Sequence, residues 1–96
     1  MKPEKLIEER RGDILRISRL HGARSVRLFG SHVRRTPTEA SDVDLLVELE
    51  PGSSLLDLVA IKQDLEDLLG CKVDVVTESS LSPYIREDVL KEAIVL

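Results

Sequence analysis

Two aspartates stand two residues apart at Asp42 and Asp44, and a third, Asp74, lies downstream in the run Lys-Val-Asp-Val-Val. Side chains at i and i+2 of a strand project from the same face with Cα atoms roughly 6.5–7 Å apart, so their oxygens can share cations. Left uncompensated, such carboxylates repel. Hard Mg²⁺ ions relieve that by taking carboxylate and phosphate oxygens together, and two ions about 3.5–4 Å apart can steady both the attacking and the leaving oxygen of a phosphoryl transfer. An Asp-x-Asp pair is common on solvated strand ends, so the pair alone is weak evidence of chemistry.

Gly30-Ser31 strengthens it. Glycine lets backbone approach a phosphate, and the serine hydroxyl and following N–H groups can donate to its oxygens. Ten residues separate Ser31 from Asp42. At ordinary residue usage, these four positions at this spacing should arise by chance in about one chain of this length in a thousand.

The elements that must carry these residues are readable from periodicity. Leu6, Ile7, Ile14, Ile17 and Leu20 recur at helical spacing between Pro3 and His21, with Gly22 as a stop. Ser25 to Phe29 alternates as a short strand that ends on Gly30, and Thr36 to Ser41, containing Pro37, is a loop. Asp42 to Leu49 is a second strand, with Val43, Leu45, Val47 and Leu49 on one face and Asp42, Asp44, Leu46 and Glu48 on the other. After Pro51-Gly52, Ser53 or Ser54 can cap a helix in which Leu55, Leu58, Val59, Leu65 and Leu69 form the core stripe up to Gly70. Lys72 to Thr77 is a third strand, and Pro83 opens a last helix striped by Ile85, Val89 and Ala93. The order predicts an α+β fold: a short mixed sheet with helices on one face and the acidic face open. Asp74 meets Asp42 and Asp44 there if its strand is adjacent and in register.

Ninety-six residues are enough for one domain, expected over 1–96, and too few for two cores. With 42% apolar against 33% charged residues the chain can bury a core, which must be aliphatic because there is no Trp, one Phe and one Tyr. No apolar run is long enough for a membrane span or signal peptide, and the lone Cys71 cannot form an internal disulfide, which fits a reducing, cytoplasmic setting. Cys71 itself reads as a small buried side chain. Residues 1–36 hold ten Lys or Arg against four acids, about +6, and the remainder four against fourteen, about −10. No Lys/Arg block accompanies this asymmetry, so charge gives no strong signal for nucleic acid.

With these residues in place, the sequence resembles the DNA polymerase β nucleotidyltransferase superfamily, whose signature is matched by Gly30, Ser31, Asp42 and Asp44, with Asp74 as the downstream third acid. The shortness, the run Leu-Phe-Gly-Ser-His-Val-Arg and the ending Glu-Ala-Ile-Val-Leu resemble the minimal nucleotidyltransferases, the MNT-domain antitoxins encoded beside HEPN-domain toxins. The resemblance implies a minimal palm with two Mg²⁺ held by Asp42, Asp44 and Asp74 and ATP as substrate. It further implies AMP transfer to a tyrosine hydroxyl of a HEPN ribonuclease toxin, with Asp74 helping to deprotonate the acceptor. Gly30 and Ser31 would hold the β and γ phosphates, Arg34 would neutralise the leaving pyrophosphate, and Ser41 would cap the turn or touch nucleotide. Arg27 and Arg35 are weaker candidates for the same anion, and His32 reads as an exposed side chain. The chain departs from the family pattern at Val33, where Ala is usual, and at Arg35, where Gly is usual, which bears on the phosphate loop more than on the metal site.

A palm without finger, thumb or substrate domain has no groove for an acceptor, so a partner must complete it. Three other readings stay open from the residues. One is a catalytically silent antitoxin that only binds, which the three repelling acids disfavour. Another is a nucleotidyltransferase subunit acting on a small molecule or nucleic acid held by a partner. The third is a structural or metal-buffering domain.

Overall fold

The computed structural model describes residues 7–29 and 43–96. Its elements are α1 (Arg11–Leu20), β1 (Ala23–Phe29), β2 (Val43–Leu49), α2 (Leu55–Leu69), β3 (Val73–Thr77), a 3₁₀ turn (Glu78–Ser80), α3 (Pro83–Glu92) and β4 (Ile94–Val95). The sheet is mixed, in the order β3-β2-β1-β4, with β2 antiparallel to β1 and parallel to β3. This is the α+β class that the periodicity predicts. Among the described residues no helix is long and apolar enough to cross a membrane.

Local chemistry sets the boundaries. The helix expected over Pro3–His21 is divided: residues 7–9 are helical, Arg10 turns at φ −105° and ψ 11°, and α1 starts at Arg11 with Asp13 in its first turn and Arg19 in its last, complementing the helix dipole. Gly22 follows at φ 90°, a conformation costly for a side chain, and a Cβ there would stand 2.5 Å from Ser53 Oγ. Its carbonyl accepts from the Glu50 N–H at 2.7 Å, so the turn after α1 is tied to the exit of β2. Of the two serines offered as caps, Ser54 serves. Its Oγ accepts from Leu56 N–H at 3.2 Å, and the Asp57 carboxylate accepts from Ser54 N–H at 2.8 Å, a capping box. Gly70 closes α2 in the left-handed region at φ 67°.

The main core lies between one sheet face and the first two long helices: Val26, Val43, Leu45, Val47 and Val73 from the strands meet Ile14, Ile61, Leu65 and Leu69. Along α2 the stripe differs from the expected one. Ile61, Leu65 and Leu69, at strict i+4 spacing, are buried, while Leu55, Leu56 and Val59 are 77%, 78% and 49% exposed. Leu55 and Val59 are therefore corrected from core to surface. Among the described residues, neither Leu55 nor Val59 joins the buried cluster that Ile61, Leu65 and Leu69 form with the sheet.

The expected covering of one face holds for α1 and α2, and α3 departs from it. Val89 of α3 packs with Leu81, Leu46 and Phe29, a second cluster on the face that carries Asp44. Leu46 and Phe29 are the reason, since two large apolar groups on that face need cover. Ser82 and Pro83 set α3 there as its N-cap and first residue. The chain then returns as β4, pairing Leu28 with Ile94 and Arg27 with Val95. A two-residue strand has too short a pattern to predict. Ile94 and Val95 remain 64% exposed each, while Leu96 packs on the main core.

Candidate active site

The geometry at Asp44 follows from strand register. β2 is an inner strand, between β1 and β3, and Asp44 pairs with Phe29 on one side and Asp74 on the other. Register partners project from the same sheet face, so the two carboxylates stand side by side, as the Asp42 to Leu49 alternation requires if β3 is in register. Val43 and Leu45, on either side of Asp44, point into the core and are 2% and 0% exposed. Asp44 itself is 2% exposed, and Asp74 is partly buried. Burying a carboxylate beside another is costly unless cations or donors compensate it. The donor set, hard carboxylate oxygens side by side, fits Mg²⁺. Among the described residues no group of three or more metal-binding side chains forms. The third acid of the expected set, Asp42, lies outside the described residues, as do Gly30, Ser31, Arg34 and Ser41, together with His32, Val33 and Arg35.

Two further features shape this face. Arg27 pairs with Leu46 and so rises on the acidic face, one step along β2 from Asp44. Beyond it the face is hollowed into a cleft of about 530 Å³ walled by β1, β2, the end of β3 and α3. Cys71 is partly buried against the main core, in keeping with its reading as a small packing residue.

What holds Asp74 level with Asp44 is a residue that sequence reasoning missed. Glu66, near the end of α2, accepts from the Val73 N–H at 3.0 Å and from Lys62 Nζ at 3.0 Å. The Lys72 carbonyl accepts from the Val43 N–H at 3.1 Å, so the first residue of each parallel strand is tied on its helix or strand side. The only signal in the sequence was the i, i+4 pair of Lys62 and Glu66, which reads as an ordinary exposed helix pair. The Val73 N–H, followed by the Lys62 ammonium, holds the Glu66 carboxyl below its usual pKa. A carboxyl whose folded pKa is depressed adds stability that is complete above its unfolded value and is lost as pH falls through the folded one. Glu66→Gln keeps an oxygen to accept from Val73 but loses the charge. Denaturant midpoints followed from pH 7 into the acid range, below about pH 4, should therefore fall less steeply in Glu66→Gln than in the parent chain. Equal slopes would show that the contact contributes through geometry alone.

Comparison with known proteins agrees with this arrangement. The model of the nucleotidyltransferase domain family matches residues 14–96. A relative from Methanocaldococcus jannaschii, named as a candidate protein adenylyltransferase, is 43% identical over 92% of this chain and 95% of its own length. The protein adenylyltransferase MntA of Thermococcus cleftensis is 45% identical over 76% of this chain and 74% of its own. Among solved structures, a candidate minimal nucleotidyltransferase superposes with a TM-score of 0.78 at 48% identity, covering 100% of this chain and 97% of that one. A toxin–antitoxin complex crystallised with AMP-PNP shares the fold, with a TM-score of 0.65 at 23% identity over 88% of this chain and 69% of that one. The parallel pairing that sets Asp44 beside Asp74, the family match across both strands and the whole-chain superposition all lead to one assignment: this chain belongs to the nucleotidyltransferase domain family, among its minimal nucleotidyltransferases.

Proposed function

We propose that this chain transfers AMP from ATP to a hydroxyl of a partner protein and thereby neutralises a HEPN ribonuclease toxin in the cytoplasm, acting as a single domain. The observation that carries the reading is the register of Asp44 with Asp74 on one face of the sheet. The names of the relatives support adenylyl transfer to protein, and the toxin–antitoxin complex with AMP-PNP supports both the nucleotide and the kind of partner.

In this mechanism the acceptor oxygen attacks the α-phosphorus of ATP in line with the bond to the β-phosphate. A phosphorus–oxygen bond forms to the acceptor, the bond to the bridging oxygen breaks, and pyrophosphate leaves with its electron pair. Asp74 takes the acceptor proton, since it borders the face where the acceptor must lie. Asp42, Asp44 and Asp74 would hold two Mg²⁺, which when bound neutralise phosphate charge and acidify the acceptor hydroxyl. Gly30 and Ser31 cradle the β and γ phosphates, Ser41 borders the nucleotide, and Arg34 meets the charge that grows on pyrophosphate.

The test is to incubate the chain with Mg²⁺, α-labelled ATP and the protein encoded beside it. Label is expected on that partner and none when both Asp42→Ala and Asp44→Ala are present. A stable complex that binds ATP but carries no label would replace this reading with an antitoxin that acts by binding alone.

A further inference from the structure

The cleft beside the two acids has a composition that the transfer chemistry does not use. Its walls include Arg27 from β1, Leu46 and Glu48 from β2, Thr77 and Glu78 at the end of β3, and Arg86 from α3. Arg27 shares the face of Asp44 through its pairing with Leu46. Arg86 is held by a bond from Nη2 to the Leu81 carbonyl at 3.1 Å, and its Nε is buried with no partner among the described residues. A guanidinium N–H out of water and without an acceptor is costly, and a ligand oxygen would satisfy it. Two arginines lining one hollow are suited to an oxyanion.

Building on the adenylyl-transfer reading, we infer that this cleft seats a carboxylate-bearing segment of the acceptor protein, next to the hydroxyl that receives AMP. A nucleotide suits it less well. Glu48 and Glu78 share the walls, and although Arg24 sits 3.8 Å from Glu48, a triphosphate would meet both carboxylates. Among the described residues no aromatic side chain lines the hollow for a base to stack on. A peptide offers a single carboxylate to the arginines, backbone N–H groups to Glu48 and Glu78, and aliphatic surface to Leu46. Gly30 and Ser31 follow Phe29 in the chain, and it is Ser25 and Arg27, towards the other end of β1, that line the cleft.

Distance makes the inference specific. Leu46 is about 6.5–7 Å and Glu48 about 13 Å along β2 from Asp44. Extended peptide covers at most about 3.3–3.6 Å per residue. The acidic residue that enters the cleft therefore lies two to four positions from the acceptor hydroxyl.

The test titrates the isotopically labelled full chain, by NMR, with a blocked pentapeptide carrying Tyr at one end and a single Glu, placed in turn at the third, fourth or fifth position. The same peptides with Gln for Glu and, separately, ATP serve as comparisons. At least one Glu peptide should move the signals of Arg27, Thr77 and the Arg86 Nε–H. Arg86→Gln, Arg27→Gln or the Gln peptide should each weaken binding about tenfold, and ATP should leave these signals in place. Equal binding of the Gln and Glu peptides, no effect of either arginine variant, or no peptide binding would overturn the proposal. Movement of the same signals by ATP alone would assign the cleft to nucleotide. Failure of the adenylyl-transfer reading shows separately, as a parent chain that binds the Glu peptide yet labels no protein.

Discussion

Asp44→Asn is expected to reduce transfer of label by at least about 10²–10³, the scale of losing one group aimed at charge that develops in a transition state, while the chain stays folded. The reasoning is electrostatic. Asp44 is 2% exposed and stands level with Asp74 on a parallel neighbour. Like charges directly opposite on adjacent strands destabilise a sheet. Asparagine keeps the shape and an acceptor oxygen and removes the charge, so activity should disappear while the chain still unfolds cooperatively in urea. Asp74→Asn, at the partly buried partner position, should likewise lose transfer while the chain stays folded. Residues kept for folding lose stability and activity together when changed; residues kept for chemistry at the expense of folding separate the two. An Asp44→Asn chain that transfers at the parent rate would remove Asp44 from the site. A chain that loses both activity and several kcal/mol of stability would recast it as a structural residue.

How much of this was legible beforehand can be traced residue by residue. The alternation from Asp42 to Leu49 is enough to put Val43, Leu45 and Val47 inside and Asp44 on the opposite face, and the structure places them so. Local capping chemistry is also local in sequence, hence Ser54 and Gly70 mark the ends of α2. Register between β2 and β3 is not local. It depends on how α2 spans the crossover and on Glu66 accepting from the Val73 N–H, a contact between residues whose types suggest only a helix surface and a strand interior. The misread half of the α2 stripe has a similar cause. Leu55 and Val59 obey helical spacing as well as Leu65 and Leu69 do, but spacing cannot say which part of the stripe the core reaches. β4 escaped because two residues have no period, and its pairing with β1 is set by where α3 releases the chain. The remaining signature residues, Gly30, Ser31, Arg34, Ser41 and Asp42, lie outside the described residues, and their assignment rests on motif spacing.

Leu45→Ala should cost about 2–5 kcal/mol of folding stability, the range for emptying a buried leucine site that relaxes only in part. Its position argues for the upper half. Leu45 is 0% exposed on an inner strand, with Leu28 and Val75 as its register partners on either side. Ile61 and Leu65 of α2 belong to the same core cluster, and a side chain hemmed in by two strands and a helix layer has little room to collapse into. Small domains are stable by only about 5–15 kcal/mol, so this one truncation can remove a large part of the total. Leu56→Ala is the matched control. Leu56 is 78% exposed, and the same atoms removed there should change stability by no more than about 0.5 kcal/mol. Urea unfolding of both variants, read at constant slope, checks the contrast, and a Leu45→Ala midpoint as mild as that of Leu56→Ala would contradict the placement of β2 at the centre of the core. Leu45 also separates Asp44 from Leu46, so it fixes which residues of β2 face the helices and which face the acceptor. In Leu45→Ala, lost transfer should track the unfolded fraction and recover where the chain is folded, whereas in Asp44→Asn it should not recover under any folding condition. Alternation along one strand thus separates the two demands: odd-numbered side chains hold the sheet to α1 and α2, while on the even-numbered face Leu46 packs with α3 and Asp44 is left to chemistry.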